Sequence, residues 1–281
     1  MNFKIPVFFN ERMVCADNDS FSPSAGKPAA VVKDWQCLFH DRIVLRDFEP
    51  VTPSDLSLAH DLQFVESILR GDRSNGFGNT LPSVAATLPY TSGAMLAAAR
   101  EAVATARVAV APVSGFHHAF YESAGGFCTF NGLMVTAQWL LANEPMVKRV
   151  GILDLDQHYG NGTDDIIDTL KLTNVVHYTA GRKRHTASQF LSELPALIET
   201  MFSECNVLLY QAGADPHIDD PLGGWMTTDE LRQRDALVFA NCASRGIPVA
   251  WNLAGGYQTP LQKVLDIHNN TMATCAAAYN C

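Results

Sequence analysis

Val150-Gly151-Ile152-Leu153-Asp154-Leu155-Asp156-Gln157-His158-Tyr159-Gly160-Asn161-Gly162-Thr163 begins as an apolar β-strand and ends as a row of candidate ligands. Side chains on a strand alternate faces, so Asp154, Asp156 and His158 line one side while Leu153 and Leu155 pack on the other. Two carboxylates and an imidazole ending a buried strand are costly to desolvate unless a counter-charge meets them, and a divalent cation does so most directly.

Outward from this stretch the chain alternates with regularity. Strand 147–154 leads into helix 163–171, strand 173–179 into helix 187–203, strand 205–211 into helix 227–245, and strand 247–253 into a terminal helix from about 260. This rhythm predicts an α/β fold, a single domain over 1–281 with a central, mainly parallel sheet covered by helices on both faces. Upstream, Phe3 to Phe9 reads as a first strand and Ala16 to Pro28 as a loop. Thr52-Pro53-Ser54-Asp55 caps a helix whose apolar stripe of Leu56, Leu62, Val65, Ile68 and Leu69 runs to Gly71. Gly71 to Asn79 is expected to be a mobile surface loop, and Thr91 to Arg107 an alanine-rich helix. Gly125-Gly126-Phe127-Cys128-Thr129-Phe130-Asn131 turns into a helix over 131–142.

The 281 residues, 47% hydrophobic, suffice for a full core, and a net charge of -9 gives no global reason to bind nucleic acid. Seven cysteines without CxxC spacing, no apolar leader in Met1 to Pro6 and no membrane-length segment point to a reduced, cytoplasmic setting away from any membrane. Oligomeric state is not encoded legibly, and a homo-oligomer is compatible with the sequence.

In a parallel sheet, ligands sit beyond the carboxyl ends of the strands. Asp154, Asp156 and His158 end one strand, Asp215 follows another, and Tyr257 follows a third after Gly255-Gly256. Asp156, His158 and Asp215 together would form an open three-ligand site, the catalytic rather than the structural zinc pattern, with Fe(II) or Mn(II) equally suited to carboxylates. Spacing alone also allows a plain Asp156–His158 hydrogen bond with Asp215 capping a helix. His117-His118 in a glycine-flanked loop could move protons, with Asp154 orienting His117 and Asn161 orienting His118, or could simply be packed. A Tyr257 hydroxyl aimed at an oxyanion would stabilise it, although a tyrosine at a strand end is often only amphipathic packing. Gly126 allows close backbone approach and could present Phe127 as a pocket wall.

These segments resemble the histone deacetylase and acetylpolyamine amidohydrolase superfamily, which has the arginase-like α/β fold. The resemblance runs from about His60 to Tyr257 through Gly115-Phe116-His117-His118-Ala119, Gly126-Phe127-Cys128, Asp154 to Thr163, Ala212-Gly213-Ala214-Asp215-Pro216-His217, Asp220-Pro221-Leu222-Gly223-Gly224 and Gly255-Gly256-Tyr257. It implies one zinc per chain on Asp156, His158 and Asp215, proton handling by His117 and His118, and donation from Tyr257 to a substrate carbonyl. It further implies Asp154 behind His117, Phe127 and Leu222 bordering an acyl-lysine channel, and a potassium ion near Asp154 and Asp156 held by backbone oxygens. The implied activity is zinc-dependent hydrolysis of an acylated amine: an acyl-lysine, an acetylpolyamine or an acylated small molecule. The same fold also admits an arginase-like ureohydrolase with two manganese ions, and a non-catalytic binder of acylated ligands.

Three departures bear on substrate choice. Tyr159 stands where the family commonly has a second histidine. Gly181-Arg182-Lys183-Arg184-His185 replaces a loop that often carries an aromatic wall, which suggests a basic rim. Only 24 residues follow Tyr257 and the region before His60 matches loosely, so a pared-down substrate rim is expected.

Overall fold

The computed structural model describes residues 3–183 and 186–281. Among them, seven parallel strands form one sheet: β1 (Ile5–Phe8), β2 (Ile43–Arg46), β3 (Val108–Ala111), β4 (Val150–Asp154), β5 (Val175–Thr179), β6 (Val207–Gln211) and β7 (Val249–Asn252). Their spatial order is β2-β1-β3-β7-β6-β4-β5.

Helices cover both faces, as the alternation predicts. One layer holds α1 (Lys27–Leu38), α7 (Ala187–Phe202), α8 (Thr228–Arg245) and α9 (Gln262–Ala278), packed on Leu153, Leu208, Tyr210 and Trp251. The other holds α2 (Pro53–Leu56), α3 (Leu62–Arg70), α4 (Pro82–Thr105), α5 (Gly132–Asn143) and α6 (Asn161–Leu170), packed on Val150, Ile152 and Leu209. The two sets of sheet residues alternate along β4 and β6, the period-2 signature of strands buried on both sides. Leu153 and Leu155 fall in the first core, so the predicted side opposite Asp154 is the observed one. Among the described residues no helix is long and apolar enough to cross a membrane, and all seven cysteines are free.

Three sequence expectations need correction. The helix read from Leu56 to Leu69 is two, α2 and α3, because Asp61 starts a new one by accepting the Phe64 N–H at 2.9 Å. The break buries the His60 ring, whose Nδ1 lies 2.9 Å from the Phe120 carbonyl while Nε2 accepts the Asn131 N–H at 2.8 Å. Burial pushes this imidazole down to about 4, so it is a neutral strut. The Gly71–Asn79 loop is anchored: the Gly76 N–H donates to Thr129 Oγ1 at 3.0 Å, and the Gly76 carbonyl accepts the Phe127 N–H at 3.0 Å. The alanine-rich helix begins at Pro82, well before Thr91, and carries Pro89 inside it. Sequence reading also passes over α1, β2 and β3, the last being the strand that leads into the histidine loop.

Candidate metal centre

The loops leaving β4 and β6 rise side by side because those strands pair through Asp154 and Gln211 at their last residues. Asp156 and His158 on one loop and Asp215 on the other bring one ligand atom each within 4.8 Å of one another. His158 Nδ1 lies 2.9 Å from Asp215 Oδ2 and 3.1 Å from Asp156 Oδ1. Both carboxylates are buried whereas the His158 side chain is 32% exposed, so the trio opens toward solvent on the histidine side. Backbone amides orient the carboxylates: Gly255 donates to Asp156 Oδ2 at 2.8 Å and Gln157 to Asp215 Oδ1 at 3.2 Å.

Two buried carboxylates meet at one imidazole in this trio, a concentration of charge that a bound cation would offset. Burial and the neighbouring Asp156 charge push the Asp215 carboxyl up to about 7, while His117 and His158 hold Asp156 well below its usual range against its own burial. Hydrogen bonds to both carboxylates raise His158 to about 10. The same nitrogen and oxygen atoms suit a divalent ion, with one side left open for water or substrate.

His117 and His118 follow β3, two strands from β6 across β7. His117 is buried, with Nδ1 2.6 Å from Asp154 Oδ2 and Nε2 3.7 Å from Asp156 Oδ1. The amides of Gly162 and Thr163, in the first turn of α6, donate to its carbonyl at 2.8 and 3.2 Å. His118 Nδ1 lies 2.8 Å from Asn161 Oδ1, and the two rings sit 4.1 Å apart. Burial disfavours the charged form of His117, but Asp154 and Asp156 outweigh it and hold the ring at about 9. His118 shifts the other way, lowered by burial and by the charge on His117. Two adjacent imidazoles with opposed shifts can keep a proton on one and leave the other free.

Tyr257 arrives from β7 through a turn in which Ala254 (φ 55°) and Gly256 (φ 148°) take positive dihedrals. Its amide donates to Asp220 Oδ2 at 2.8 Å, and its ring lies 6.5 Å from that of His158. Burial and the charges of Asp156 and Asp215 push the phenol well above its ordinary range, so it stays a hydrogen-bond donor. The Gly126 backbone packs on the His118 ring, where a methyl group would fall 2.8 Å from Cγ. Phe127, next to it, packs between Phe77 and Tyr257 at 5.9 and 5.8 Å. Leu222 is exposed at the same rim, its amide on Asp220 Oδ1 at 3.0 Å, the carboxylate that also holds the Tyr257 amide.

The site contains residues that motif reading missed. Gln211 donates to Asp154 Oδ1 at 2.8 Å and accepts the Phe116 N–H at 3.1 Å, tying the strand end to the histidine loop. Lys27, fully buried, donates to the Ala254 carbonyl at 2.6 Å, and burial pushes its amine down to about 8. Phe21 stacks on Tyr257 at 6.1 Å and 12°, a wall supplied from the loop at 16–28. Its only sequence signal is a lone aromatic among Ser, Asp and Pro. Of the residues expected to form a basic rim, Arg182 lies with its guanidinium 4.9 Å over the Tyr159 ring and pairs with Asp164. Arg184 and His185 lie outside the described residues.

Comparison with known proteins places these features in a family context. The family model described as Histone deacetylase domain matches residues 28–179, just over half of the chain. An uncharacterized protein of Picosynechococcus sp. is 27% identical over 249 residues, 79% of this chain and 82% of that protein. Histone deacetylase 10, chloroplastic, of Oryza sativa subsp. japonica is 27% identical over 258 residues, covering 75% of this chain and 56% of that protein. Histone deacetylase 2 of Arabidopsis thaliana is 27% identical over 173 residues, 54% of this chain and 44% of that protein. The chain thus spans about half the length of these two named deacetylases.

Proposed function

The chain belongs to the histone deacetylase family of deacetylase-type hydrolases, and from that premise we propose that it is a zinc-dependent deacylase that hydrolyses the amide of an acylated amine. The observation that carries the reading is the convergence at one sheet edge of Asp156, His158 and Asp215 with the His117–His118 pair and the Tyr257 phenol.

In this reading Asp156, His158 and Asp215 hold one zinc ion, which would supply a polarised carbonyl and a water acidified from 15.7 toward roughly 7. His118, lowered and free to accept a proton, stands as general base and His117, held protonated, as general acid, a contribution of roughly 10²- to 10⁴-fold. Asp154 and Asn161 fix their tautomers through Nδ1, leaving the Nε2 atoms for chemistry. The Tyr257 hydroxyl donates to the tetrahedral oxyanion, and the leaving amine takes its proton from the histidine pair. Phe127, with Phe21 and Leu222, borders the passage by which an acylated side chain or small molecule reaches the centre.

A two-manganese ureohydrolase would need a second group of ligands. Among the described residues Asp156, His158 and Asp215 are the one such grouping of His, Cys, Asp and Glu. Zinc-loaded protein incubated with fluorogenic acyl-lysines of graded chain length and with free acetylpolyamines tests the proposal. Release of amine product at one zinc per chain supports it; no turnover of any member by metal-loaded protein refutes it and leaves the ligand-binding alternative.

A further inference from the structure

Behind the ligand trio, on the opposite side of the sheet edge from the histidine pair, lies a fully buried ion pair that the chemistry above does not use. Arg234, on α8, is 1% exposed, and its Nη1 donates to two backbone carbonyls, Leu155 O at 3.0 Å and Gly213 O at 2.8 Å. Leu155 immediately precedes Asp156, and Gly213 stands two residues before Asp215. The last backbone rung between the two strands is the Leu155 N–H to Gln211 O bond at 3.1 Å. Beyond it the ladder ends, and one guanidinium nitrogen bridges the two ligand-bearing segments where no further rung forms.

The bridge is itself held in place. Asp235 accepts from Arg234 Nε at 2.8 Å, from Thr271 Oγ1 of α9 at 2.6 Å and from the Tyr210 hydroxyl of β6. Thr227 and Glu230 form a reciprocal cap at the start of α8, fixing the helix that carries the pair. A planar guanidinium can direct one nitrogen at two carbonyls while another contacts a carboxylate; a lysine amine offers one compact donor and cannot reproduce that fork.

We propose that Arg234, steadied by Asp235, is a positioning residue that sets the separation of Asp156 and Asp215 and so governs the affinity of the centre for its divalent ion. The inference rests on the metal reading given above. Arg234 touches no ligand side chain and acts through the carbonyls of Leu155 and Gly213. Partners behind metal ligands typically change affinity by about 10- to 100-fold when removed, and that is the size of effect expected of Arg234→Lys.

The test measures zinc affinity by chelator competition for the wild-type chain, Arg234→Lys and Thr271→Val, with near-ultraviolet circular dichroism of each metal-free protein as the check on folding. Cobalt(II) absorption of the loaded proteins reports ligand geometry independently of turnover. The expected result is about 10- to 100-fold weaker zinc binding and altered cobalt bands in folded Arg234→Lys, with a loss of about three- to tenfold in Thr271→Val, which removes one hydrogen bond from Asp235. A folded Arg234→Lys chain with wild-type affinity and an unchanged cobalt spectrum overturns the proposal. If that variant does not fold, unchanged affinity in Thr271→Val overturns it instead. Failure of the wild-type chain itself to take up zinc or cobalt refutes the metal reading beneath it, a result distinct from either.

Discussion

The amide of Gly255 donates to Asp156 Oδ2 at 2.8 Å, and a methyl group on Gly255 would lie 2.8 Å from that same oxygen and closer still to the carboxylate of Asp215. A glycine on β7's exit therefore belongs to the ligand geometry of two other strands. Gly255→Ala should push the two carboxylates off their positions and weaken divalent-metal binding by at least about tenfold. Chelator competition that returns wild-type affinity for the alanine variant contradicts this.

Tyr257→Phe keeps the ring in its stack between Phe21 and Phe127 and removes only the hydroxyl. Metal content should stay at the wild-type level while kcat falls by roughly 10²- to 10³-fold. Near-normal turnover in the phenylalanine variant would take Tyr257 out of the mechanism.

Asp154→Asn exchanges the acceptor 2.6 Å from His117 Nδ1 for a neutral amide in a fully buried setting. The half-buried Asn161 faces His118 across 2.8 Å. Asp154→Asn should cost more activity than Asn161→Ala, about 10- to 100-fold in kcat/KM, because it removes the charge that holds His117 near 9 as well as the orienting bond. The pH–rate profiles check it: the upper limb should move to lower pH in the Asp154 variant alone.

Phe21→Ala opens one wall over Tyr257 without touching the ligands. The aromatic stack lends about 0.5 to 1.5 kcal/mol, so KM for an acyl-lysine should rise several-fold with little change in kcat. Identical kinetics for the two proteins would assign Phe21 no part in the passage.

Burial holds the Lys27 amine at about 8 against an ordinary 10.5, so the unfolded chain binds that proton more tightly. Stability due to this group is then lowest below pH 8 and is recovered as pH rises to 10.5. Relative to Lys27→Met, wild type should gain in urea-unfolding free energy across that window. Parallel pH curves for the two would show that folding does not depress this amine.

Much of the site was legible because its chemistry is concentrated at strand ends. Asp154 ends β4, and Asp156 and His158 carry its period-2 alternation onto the loop beyond, with Leu153 and Leu155 on the other side; the tandem histidines stand beside glycines, so residue type and periodicity coincide. What sequence left hidden is what acts through the backbone or across long separations. Lys27 meets Ala254, and Arg234 meets Leu155 and Gly213, through carbonyls that carry no residue identity. The Leu56 to Leu69 stripe ran through a break because periodicity does not register a cap such as Asp61 when a second helix resumes at once. The Gly71–Asn79 loop looked free because its partners, Phe127 and Thr129, lie far along the chain.

The strand order has a consequence for how the molecule comes into being. β7 is inserted between β3 and β6, so the strand leading to the histidine loop and those leading to the acidic loops join one continuous sheet only after residues 249–252 have been laid down. Closure over such separations is slow, and incomplete intermediates leave strand edges exposed. A growing or clipped chain lacking residues 249–257 would leave the facing edges of β3 and β6 unpaired and prone to stick.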